Sequence, residues 1–459
     1  MTSNEIARAV GGRVAGTWRV DPTGFSIDTR TLRRDDLYIA ICGRRFDGHA
    51  FVAEAMTRGA CGALVSDASA LGGFPVAGVV VDDTLEALQS LARHIRRWSA
   101  AQLVAVTGSV GKTTTKELAS AVLSARYRVF RNRGNLNNHI GLPLSLLELR
   151  TRPEVAVVEL GMSGPGEISR LVGIAEPDVR VWTNVAAVHA EFFPSVDAIA
   201  DAKAEILEGA TSESGVVANA ADPRVMSRLT TFPGRVTTFG VSVDADVMAT
   251  EVEDLGLRGS RACLQTPVGA TPVTTSLLGR GNVANVAAAV GVGLQLGVAP
   301  DDAAERIGSV QALPHRGSVH HLSSGVVVVD DSYNSSPPAL DAALTTLSRE
   351  RSGGRRVAVL GEMLELGDQA VSFHRAAGRA AAAAELGLLL TVGGTGAREL
   401  GASAIEAGLD MTAVAHYESS DELAAEICSI VRDDDVILIK GSRGIRTDVV
   451  ASRLTAGCQ

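Results

Sequence analysis

The sequence lacks the segments and clusters that mark membrane, secreted and disulfide-rich proteins. No apolar run approaches the length that crosses a bilayer, and the N-terminus, MTSNEIARAVGGRV, has no apolar signal region. The five cysteines are scattered and form no CxxC pair, which favours a reducing compartment. These absences predict a cytoplasmic protein that is not inserted in a membrane.

An excess of positive charge is also missing. The formal net charge is −9 at pH 7, whereas a general nucleic-acid binder normally carries a basic face, so we expect no nucleic-acid partner. Hydrophobic residues make up 46% of the chain and charged residues 21%, which is typical of a soluble globular protein. At 459 residues the chain is too long for one core, and its length indicates about three domains.

Three segments differ in their pattern. Residues 1–98 mix short strands with turns and end in a helix-like stretch, whereas apolar strands alternate with helices in residues 99–314. Residues 315–459 repeat that alternation, and QALPHRGS (311–318) is the expected linker. The prediction is an α/β protein of three domains: a smaller N-terminal domain, a central domain with a wound, mostly parallel sheet, and a C-terminal Rossmann-like domain.

A glycine-rich turn follows the first strand of the central segment. In VTGSVGKTTTKE (106–117), Val106 replaces the first glycine of the usual phosphate-loop spacing, but a strand still precedes the turn and a helix follows it. Backbone N–H groups and the helix N-terminus would face an anion, Lys112 would reach the outer phosphates, and Thr113 would reach a magnesium ion. The alternative is an ordinary turn with a solvated lysine. The predicted phosphate site comprises Gly108, Ser109, Val110, Gly111, Lys112, Thr113 and Thr114.

Two further strand ends carry candidate metal ligands. Glu159 ends an apolar strand immediately before a glycine turn, where a carboxylate suits a magnesium ion that bridges nucleotide phosphates. The alternative is a glutamate that faces solvent. His189 lies in the loop after the strand near residue 180, although a lone histidine is more often structural than a ligand.

Lys203 falls on an apolar helix face. In SVDAIADAKAEILEGA (195–210) it lies four residues after Ile199 and three before Ile206. Burying an ammonium ion costs several kcal/mol unless it is paired or loses its charge. Either the long stem reaches solvent, or the amine is neutralised, modified or partnered at a functional site.

Two polar clusters complete the candidates. Asn282 and Asn285 are three residues apart and therefore share a helical face, where their amides could bond an adenine edge or cap the helix. Asp331, Asn334 and Ser335 follow a strongly apolar strand in VVVVDDSYNSSPPALDAAL (326–344). A cluster so polar beside such a strand indicates a site rather than a plain turn.

Taken in order, the motifs resemble those of the Mur ligases, and the C-terminal ones resemble the D-alanyl-D-alanine-adding branch of that family. The resemblance runs nearly from end to end, and it includes the variant phosphate loop. Several long motifs in one order are far more specific than any one of them. Those that carry it are IDTRTLRRDDLYIAICGRRFDGHAFVAEAMTRGA (27–60), TGSVGKTTTKE (107–117), GNLNNHIGLPLSLL (134–147), VVELGMSGPGEI (157–168), TNVAAVHAEFFPSVDAIADAKAEIL (183–207), DDSYNSSPPALDAAL (330–344), VLGEMLELG (359–367) and KGSRG (440–444).

The resemblance implies an ATP-dependent amide ligase of peptidoglycan precursor synthesis that uses Mg²⁺. Its partners would be UDP-N-acetylmuramoyl-tripeptide and D-alanyl-D-alanine, joined through an acyl phosphate by a chain that we expect to be a monomer. The N-terminal domain would bind the UDP-sugar, and the central domain would bind ATP. Rival interpretations are a folylpolyglutamate-synthase-like or other related amide ligase, a non-catalytic muropeptide sensor, and a phosphotransferase that acts on a hydroxyl.

The resemblance also implies roles for individual residues. The catalytic residues would be Lys112, His189 and Lys203, with Lys203 carbamylated. One magnesium would lie on Thr113 and Glu159, and a second on His189 and Lys203. The remaining implied contacts are Asn282, Asn285, Arg316 and Asp331 for ATP; Thr29, Arg30, Asp47, Gly48 and His49 for the UDP-sugar; and Asn137, Asn138, Asn334 and Ser335 for the substrates.

Three positions depart from the family pattern. Gly281 stands where a histidine is common, Ala221 stands where an aspartate is common, and HRG (315–317) replaces the usual Gly-Arg. These departures affect details of the adenine site rather than the class of reaction. For the C-terminal loops an alternative to an amine site stays open, namely that they only complete the nucleotide site, above all at Arg443.

Overall fold

Three β-sheets follow one another along the chain, each packed with helices. This computed structural model describes residues 1–16, 18, 20–43, 46–72, 77–188, 190–350 and 353–457. The predicted α/β class with a wound, mostly parallel central sheet is confirmed. In the described part of the chain, no helix combines the length and the apolar character needed to cross a membrane.

The first sheet has five strands in the order β1-β5-β4-β3-β2, and only β1 runs antiparallel to its neighbour. The first helix starts at a capping box between Thr2 and Glu5 and stops at Gly11, whose φ of 66° suits glycine. The strands are β1 Arg13–Ala15, β2 Gly24–Ser26, β3 Asp36–Ile39, β4 Gly62–Val65 and β5 Ala77–Val80. The helices are α1 Ser3–Val10, α2 Val52–Thr57 and α3 Thr84–Ser99.

The helix α3 joins the first sheet firmly to the next one. Its apolar residues Leu88 and Leu91 share one buried cluster with Leu142 of the central segment. Its Arg96 is also buried, and it donates to the carbonyl oxygen of Ala175 at 2.8 Å. The stretch that looked helix-like in the sequence is therefore a helix that packs against both segments, and the first two sheets share a continuous core.

The central sheet has nine strands in the order β14-β13-β12-β11-β10-β9-β6-β8-β7. The strands from β7 to β12 are parallel, and β13 and β14 extend the sheet as antiparallel strands. The strands are β6 Gln102–Thr107, β7 Val129–Arg131, β8 Val155–Glu159, β9 Val179–Trp182, β10 Gly215–Asn219, β11 Arg235–Val241, β12 Val247–Asp254, β13 Ser260–Thr266 and β14 Gly269–Thr275.

The order of the strands reverses at β6, which lies between β8 and β9. In sheets of this kind the crevice at the carboxyl ends of the strands, next to such a reversal, is where ligands bind. The helices of this segment are α4 Lys112–Leu123, α5 Gly141–Leu146, α6 Glu167–Ala175, α7 Val196–Ala204, α8 Pro223–Ser227, α9 Arg280–Gln295 and α10 Pro300–Gly308.

The third sheet has six strands in the order β15-β16-β20-β17-β18-β19, and only the edge strand β15 is antiparallel to its neighbour. The strands are β15 Ser318–His321, β16 Val327–Asp331, β17 Arg356–Gly361, β18 Leu388–Val392, β19 Val414–Tyr417 and β20 Val436–Lys440. The helices are α11 Pro337–Ser348, α12 Ala370–Ala383, α13 Thr395–Glu406, α14 Ser420–Ile430 and α15 Asp448–Thr455.

Candidate active site

The predicted phosphate loop connects β6 to α4 and leaves no room for side chains at its two glycines. Gly108 has a φ of 147° and Gly111 a φ of 88°, a region that L side chains rarely adopt. A Cβ atom on Gly108 would lie 1.9 Å from Thr183 Oγ1, and one on Gly111 would lie 2.4 Å from Asn285 Oδ1. The loop is therefore packed tightly between the end of β9 and the helix α9.

Asn184, which follows β9, fixes the middle of this loop. Its Oδ1 accepts a hydrogen bond from Val110 N at 2.9 Å, and its Nδ2 donates to Val110 O at 3.0 Å. Ser109 Oγ accepts from Ala186 N at 2.8 Å, so Ser109 and Val110 are both held by the segment after β9. The sequence pattern did not single out Asn184. Its place directly after an apolar strand was the available signal.

Two lysine amines converge on one carbonyl oxygen of the loop. Lys112 Nζ donates to Gly108 O at 2.8 Å, and Lys203 Nζ donates to the same oxygen at 3.1 Å. Lys203 is 2% exposed, so the alternative in which its stem reaches solvent is wrong. Burial holds the pKa of Lys203 well below the ordinary value of 10.5, and the charge of Lys112 lowers it further. The buried amine therefore faces the phosphate loop with its charge disfavoured.

Glu159 is buried beside Thr113. Its Oε2 accepts from Thr113 Oγ1 at 2.7 Å and its Oε1 accepts from Asn137 Nδ2 at 2.8 Å. Glu159 is 3% exposed, so the alternative in which it faces solvent is wrong. Among the residues that the structure describes, no cationic nitrogen lies within 4.0 Å of this carboxylate. A buried carboxylate next to a hydroxyl, with neutral donors alone, fits Mg²⁺, which prefers oxygen ligands.

The second predicted magnesium site is described in part. His189 lies outside the described residues. Among the described residues, no three His, Cys, Asp or Glu side chains form a group that could hold a metal ion. The proximity of Lys203 to the phosphate loop agrees with a place near the nucleotide phosphates. Its pairing with His189 stays a prediction.

The two asparagines of α9 bond to each other and to α4. Asn285 Nδ2 donates to Asn282 Oδ1 at 2.9 Å, which confirms that they share a helical face. Asn285 Oδ1 accepts from Thr115 Oγ1 at 3.2 Å, and Asn282 Nδ2 donates to Leu278 O at 2.9 Å. Asn285 thus joins α9 to the helix that follows the phosphate loop, and Asn282 holds the side-chain amide of Asn285. A Cβ on Gly281 would have no atom within 4 Å, so this position borders open space.

The carboxyl ends of β16 and β20 meet in the third sheet. Lys440 Nζ donates to Asp331 Oδ2 at 2.5 Å and to Asn334 O at 3.0 Å. Burial raises the pKa of Asp331, and the Lys440 ammonium opposes that shift. Ser335 Oγ is buried and has no hydrogen-bond partner in the described structure. The predicted polar cluster is therefore built around the ion pair of Lys440 and Asp331, and in the described structure the Ser335 hydroxyl has no hydrogen-bond partner.

Arg316 connects the third sheet to the phosphate loop. Its guanidinium carbon lies 3.9 Å from the centre of the Tyr333 ring, and that of Arg443 lies 5.9 Å from the same ring. Burial lowers the pKa of Lys112, Glu159 opposes that shift, and Arg316 is near enough to lower the pKa further. The linker arginine therefore belongs to the same electrostatic environment as the phosphate-loop lysine.

The candidate UDP-sugar residues lie at one edge of the first sheet. Thr29 and Arg30 follow β2, and the loop with Asp47, Gly48 and His49 follows β3, its parallel neighbour. His49 Nδ1 lies 2.6 Å from Asp47 Oδ1, and His49 Nε2 accepts from the backbone N–H of Ser66, the residue after β4, at 2.9 Å. Thr29 is buried, whereas Arg30 is exposed.

A cleft of about 350 Å³ opens beside Asn138. His139, Gly161 and Arg170 line it as well. Asn138 holds the start of α5, because its Oδ1 accepts from the N–H of Gly141, the first residue of that helix, at 2.8 Å. The cleft adjoins Glu159 through Asn137, the neighbour of Asn138, and it brings a guanidinium and an imidazole to that side of the site.

Comparisons with known proteins agree with this geometry. Family models match residues 106–293 as the Mur ligase middle domain, residues 315–443 as the Mur ligase glutamate ligase domain and residues 22–96 as the catalytic domain of the Mur ligase family. The UDP-N-acetylmuramoyl-tripeptide--D-alanyl-D-alanine ligase of Bacillus subtilis is 33% identical over 464 residues, covering 99% of this chain and 98% of the relative.

Two solved structures have the same arrangement of three sheets. A crystal structure of MurF from Acinetobacter baumannii has a TM-score of 0.89 at 29% identity and covers 99% of this chain and 98% of its own. The MurF ligase of Thermotoga maritima in complex with ADP has a TM-score of 0.82 at 28% identity, with 95% and 97% covered. The resemblance found in the sequence motifs is confirmed.

Proposed function

This chain belongs to the Mur ligase family, and from that premise we propose that it joins D-alanyl-D-alanine to UDP-N-acetylmuramoyl-tripeptide at the expense of ATP. The observation that carries the proposal is the convergence at the phosphate loop. The amines of Lys112 and Lys203 meet the carboxylate side of the site, formed by Glu159, at this one short segment, and Arg316 is near enough to lower the pKa of Lys112. An ordinary strand–turn–helix has no need for such an arrangement.

The reaction proceeds in two steps. A carboxylate oxygen of the tripeptide attacks the γ-phosphorus of ATP, so that ADP leaves and an acyl phosphate forms. The amine of the dipeptide then attacks the acyl carbon, the amine loses a proton, and inorganic phosphate leaves. Such phosphoryl transfer depends on positioning and on charge stabilisation more than on covalent help.

Thr113 and Glu159 would hold the Mg²⁺ that accompanies ATP. Bound there, the ion would neutralise charge on the phosphates. Lys112, which donates to Gly108 O, would turn its ammonium towards the transferred phosphoryl group. Asn184 keeps the loop in shape while the nucleotide enters. The role of this chain is therefore to orient the phosphates between the lysine and the hydroxyl–carboxylate pair.

Lys203 is proposed to carry a carboxyl group. Its lowered pKa favours the uncharged amine, the form that attacks carbon dioxide and loses a proton to give a carbamate. The product is an oxygen ligand suited to Mg²⁺, and it replaces a buried amine, whose charge is disfavoured, by a group that a metal can neutralise. His189 would be the other protein ligand of that ion.

The substrates are assigned to separate parts of the molecule. We assign the UDP-sugar to the first sheet (domain 1–98), ATP to the central unit (99–314) and the dipeptide to the third (315–459). The cleft at Asn138 is lined by Arg170 and His139 as well as by the carboxylate of Glu167, and the guanidinium of Arg170 would pair with a carboxylate of the muramoyl peptide. A cytoplasmic location and a monomeric state stay predictions.

One experiment separates this activity from its rivals. The purified protein is incubated with ATP, Mg²⁺ and UDP-N-acetylmuramoyl-tripeptide, with and without D-alanyl-D-alanine, and products are identified by mass. We expect a pentapeptide product, together with ADP and phosphate, when both substrates are present. Binding without phosphate release would identify a sensor, and a phosphorylated product would identify a phosphotransferase.

A further inference from the structure

A second buried lysine lies on the phosphate-loop helix, one turn after Thr113. Lys116 is 1% exposed, and its Nζ donates to the backbone carbonyl oxygen of Asn132 at 2.7 Å. It also lies 3.2 Å from Glu117 Oε1. Keeping an ammonium ion in a core is costly, and an apolar residue would pack there without that cost. Nothing in the proposed reaction uses this charge directly, because it is separated from the loop by a turn of helix.

Asn132 connects Lys116 to Glu159 by hydrogen bonds. It is 1% exposed and follows β7. Its Oδ1 accepts from the backbone N–H of Glu159 at 3.2 Å, and its Nδ2 donates to Leu136 O at 2.9 Å. Asn137, the residue after Leu136, donates a hydrogen bond from its side-chain amide to Glu159 Oε1. One asparagine therefore ties the ends of β7 and β8 to the loop that holds the carboxylate.

Glu159 is thus held at three points. Asn132 holds its backbone, Asn137 holds one carboxylate oxygen, and Thr113 holds the other. Thr113 and Lys116 are on the same helix, so Lys116 closes a ring of contacts from α4 through Asn132 to Glu159 and back to α4.

We propose that Lys116 and Asn132 are positioning residues that set the carboxylate of Glu159 for its magnesium ion. The proposal rests on the metal role given to Glu159 above. Groups that orient a metal ligand typically contribute about 10- to 100-fold to metal affinity. A side chain that only fills the core would change stability without changing the dependence on metal.

The test compares Lys116→Met and Asn132→Ala with the wild-type chain. Asn132→Ala keeps the backbone carbonyl that Lys116 uses and removes only the amide contacts, so it is the milder second variant. ADP binding is measured by calorimetry over a series of Mg²⁺ concentrations without the muramoyl substrate, and Tm is measured in parallel. Steady-state KM values for ATP and for the dipeptide are measured at low and high Mg²⁺.

Arg131→Met is the matched control. Arg131 Nε lies 2.9 Å from Glu117, the same carboxylate that Lys116 approaches, but the Arg131 side chain is largely exposed and, in the described structure, forms no hydrogen bond with its chain neighbour Asn132. We expect the Mg²⁺ requirement for ADP binding to rise about 10-fold in both test variants. High Mg²⁺ should restore much of their rate, and the KM for dipeptide should not change. Arg131→Met should behave as wild type.

The outcomes separate the two proposals. If Glu159→Gln raises the Mg²⁺ requirement while both test variants leave it unchanged, the positioning role is overturned and the metal site stands. If Glu159→Gln itself leaves the Mg²⁺ requirement unchanged, the metal site is overturned together with the positioning role. A lower Tm with unchanged Mg²⁺ dependence also counts against positioning, since it indicates core packing alone.

Discussion

At the scale of single residues, the site combines buried and partly buried ionisable groups that have no ion-pair partners among the described residues. In the described structure, Lys112, Lys203 and Glu159 have no ion-pair partner within 4.0 Å. Such an arrangement is unfavourable by itself, because burial penalises each charge. It is what a site prepared for nucleotide phosphates and their metal ions requires, since the ligand supplies the missing charges.

Lys112→Ala should abolish ligation and leave binding of the UDP-substrate largely intact. Loss of one preorganised charge-stabilising donor raises a barrier by about 3–4 kcal/mol, roughly 100- to 1000-fold in rate. The UDP-sugar residues lie on the first sheet, whereas Lys112 contacts the phosphate loop. Product formation and calorimetric titration with UDP-N-acetylmuramoyl-tripeptide check both parts. An equal loss of affinity for that substrate would contradict this division.

Lys203→Ala should lose most of the activity, and short carboxylic acids should restore part of it. The acid would occupy the space of the missing carbamate and offer the same kind of oxygen ligand. The measurement is the rate of phosphate release with and without added acetate or formate, and Lys112→Ala serves as the variant that these acids should not rescue. An alanine variant that ligates near the wild-type rate would rule out the second-metal role.

At the scale of helices, strands and loops, short-range patterns identified candidate residues better than they identified the contacts that hold those residues in place. The phosphate loop, Glu159 and the Asn282–Asn285 pair were predictable because each follows from local period and turn chemistry. Asn184 and Asn132 were not, because their partners lie far away in the chain and only the wound sheet brings them together.

The spacing of apolar residues predicts the helix α3, but it does not predict which parts of the molecule that helix packs against. Whether Arg96 faces solvent or a neighbouring domain is decided by tertiary structure, which the sequence pattern does not contain. For Lys203 the pattern left two alternatives. In the structure the Lys203 side chain is buried, because α7 places it beside the phosphate loop, where its amine donates to Gly108 O.

The helix α12 contains a histidine that bonds to the loop after β17 and whose titration should affect stability. His374 is buried; its Nε2 accepts from Met363 N at 2.9 Å, and its Nδ1 donates to Ala370 O at 2.7 Å. Burial lowers the pKa of His374 below the ordinary value of 6.5. In the unfolded chain this histidine binds a proton as the pH falls through about 6.5, while the folded chain resists it, so the free energy of unfolding should fall as the pH falls.

Denaturant unfolding at pH 8, 7, 6 and 5 measures this effect, with His374→Gln as the comparison. Glutamine offers an acceptor oxygen and a donor nitrogen but does not titrate in this range. The difference in free energy of unfolding between wild type and variant should shrink towards acid pH. A difference that is constant across the series would show that His374 does not carry the effect.

At the scale of the whole molecule, the third sheet differs from the other two in how its core is built. The first and central sheets share a buried cluster through α3, whereas the third sheet has cores of its own. The third unit meets the central one through polar contacts, such as Arg349 with Asp254 at 2.9 Å, and through apolar contacts, because Leu257 and Leu278 of the central unit pack against the core of the third sheet. The linker that carries Arg316 joins them. Movement of the third unit therefore changes what faces the phosphate loop.

This arrangement predicts the identity of the amine substrate. An acyl phosphate in a wet site would be hydrolysed, so the third unit must bring the amine as it closes and excludes water. Its loops offer the amide of Asn334, the unused hydroxyl of Ser335 and the guanidinium of Arg443, which together suit a small dipeptide with a terminal carboxylate. We therefore expect D-alanyl-D-alanine to be preferred over D-alanine, L-alanyl-L-alanine and L-lysine in a side-by-side assay.

Asn334→Ala should raise the KM for dipeptide and leave the KM for ATP nearly unchanged, because its backbone carbonyl still accepts from Lys440 and only the side-chain amide is lost. Loss of one hydrogen bond to a charged or polar substrate group costs about 1–3 kcal/mol, roughly 5- to 150-fold in KM. Steady-state kinetics with each substrate varied in turn checks this. A variant in which only the KM for ATP rises would show that these loops complete the nucleotide site, and preference for a single amino acid would exclude the dipeptide branch.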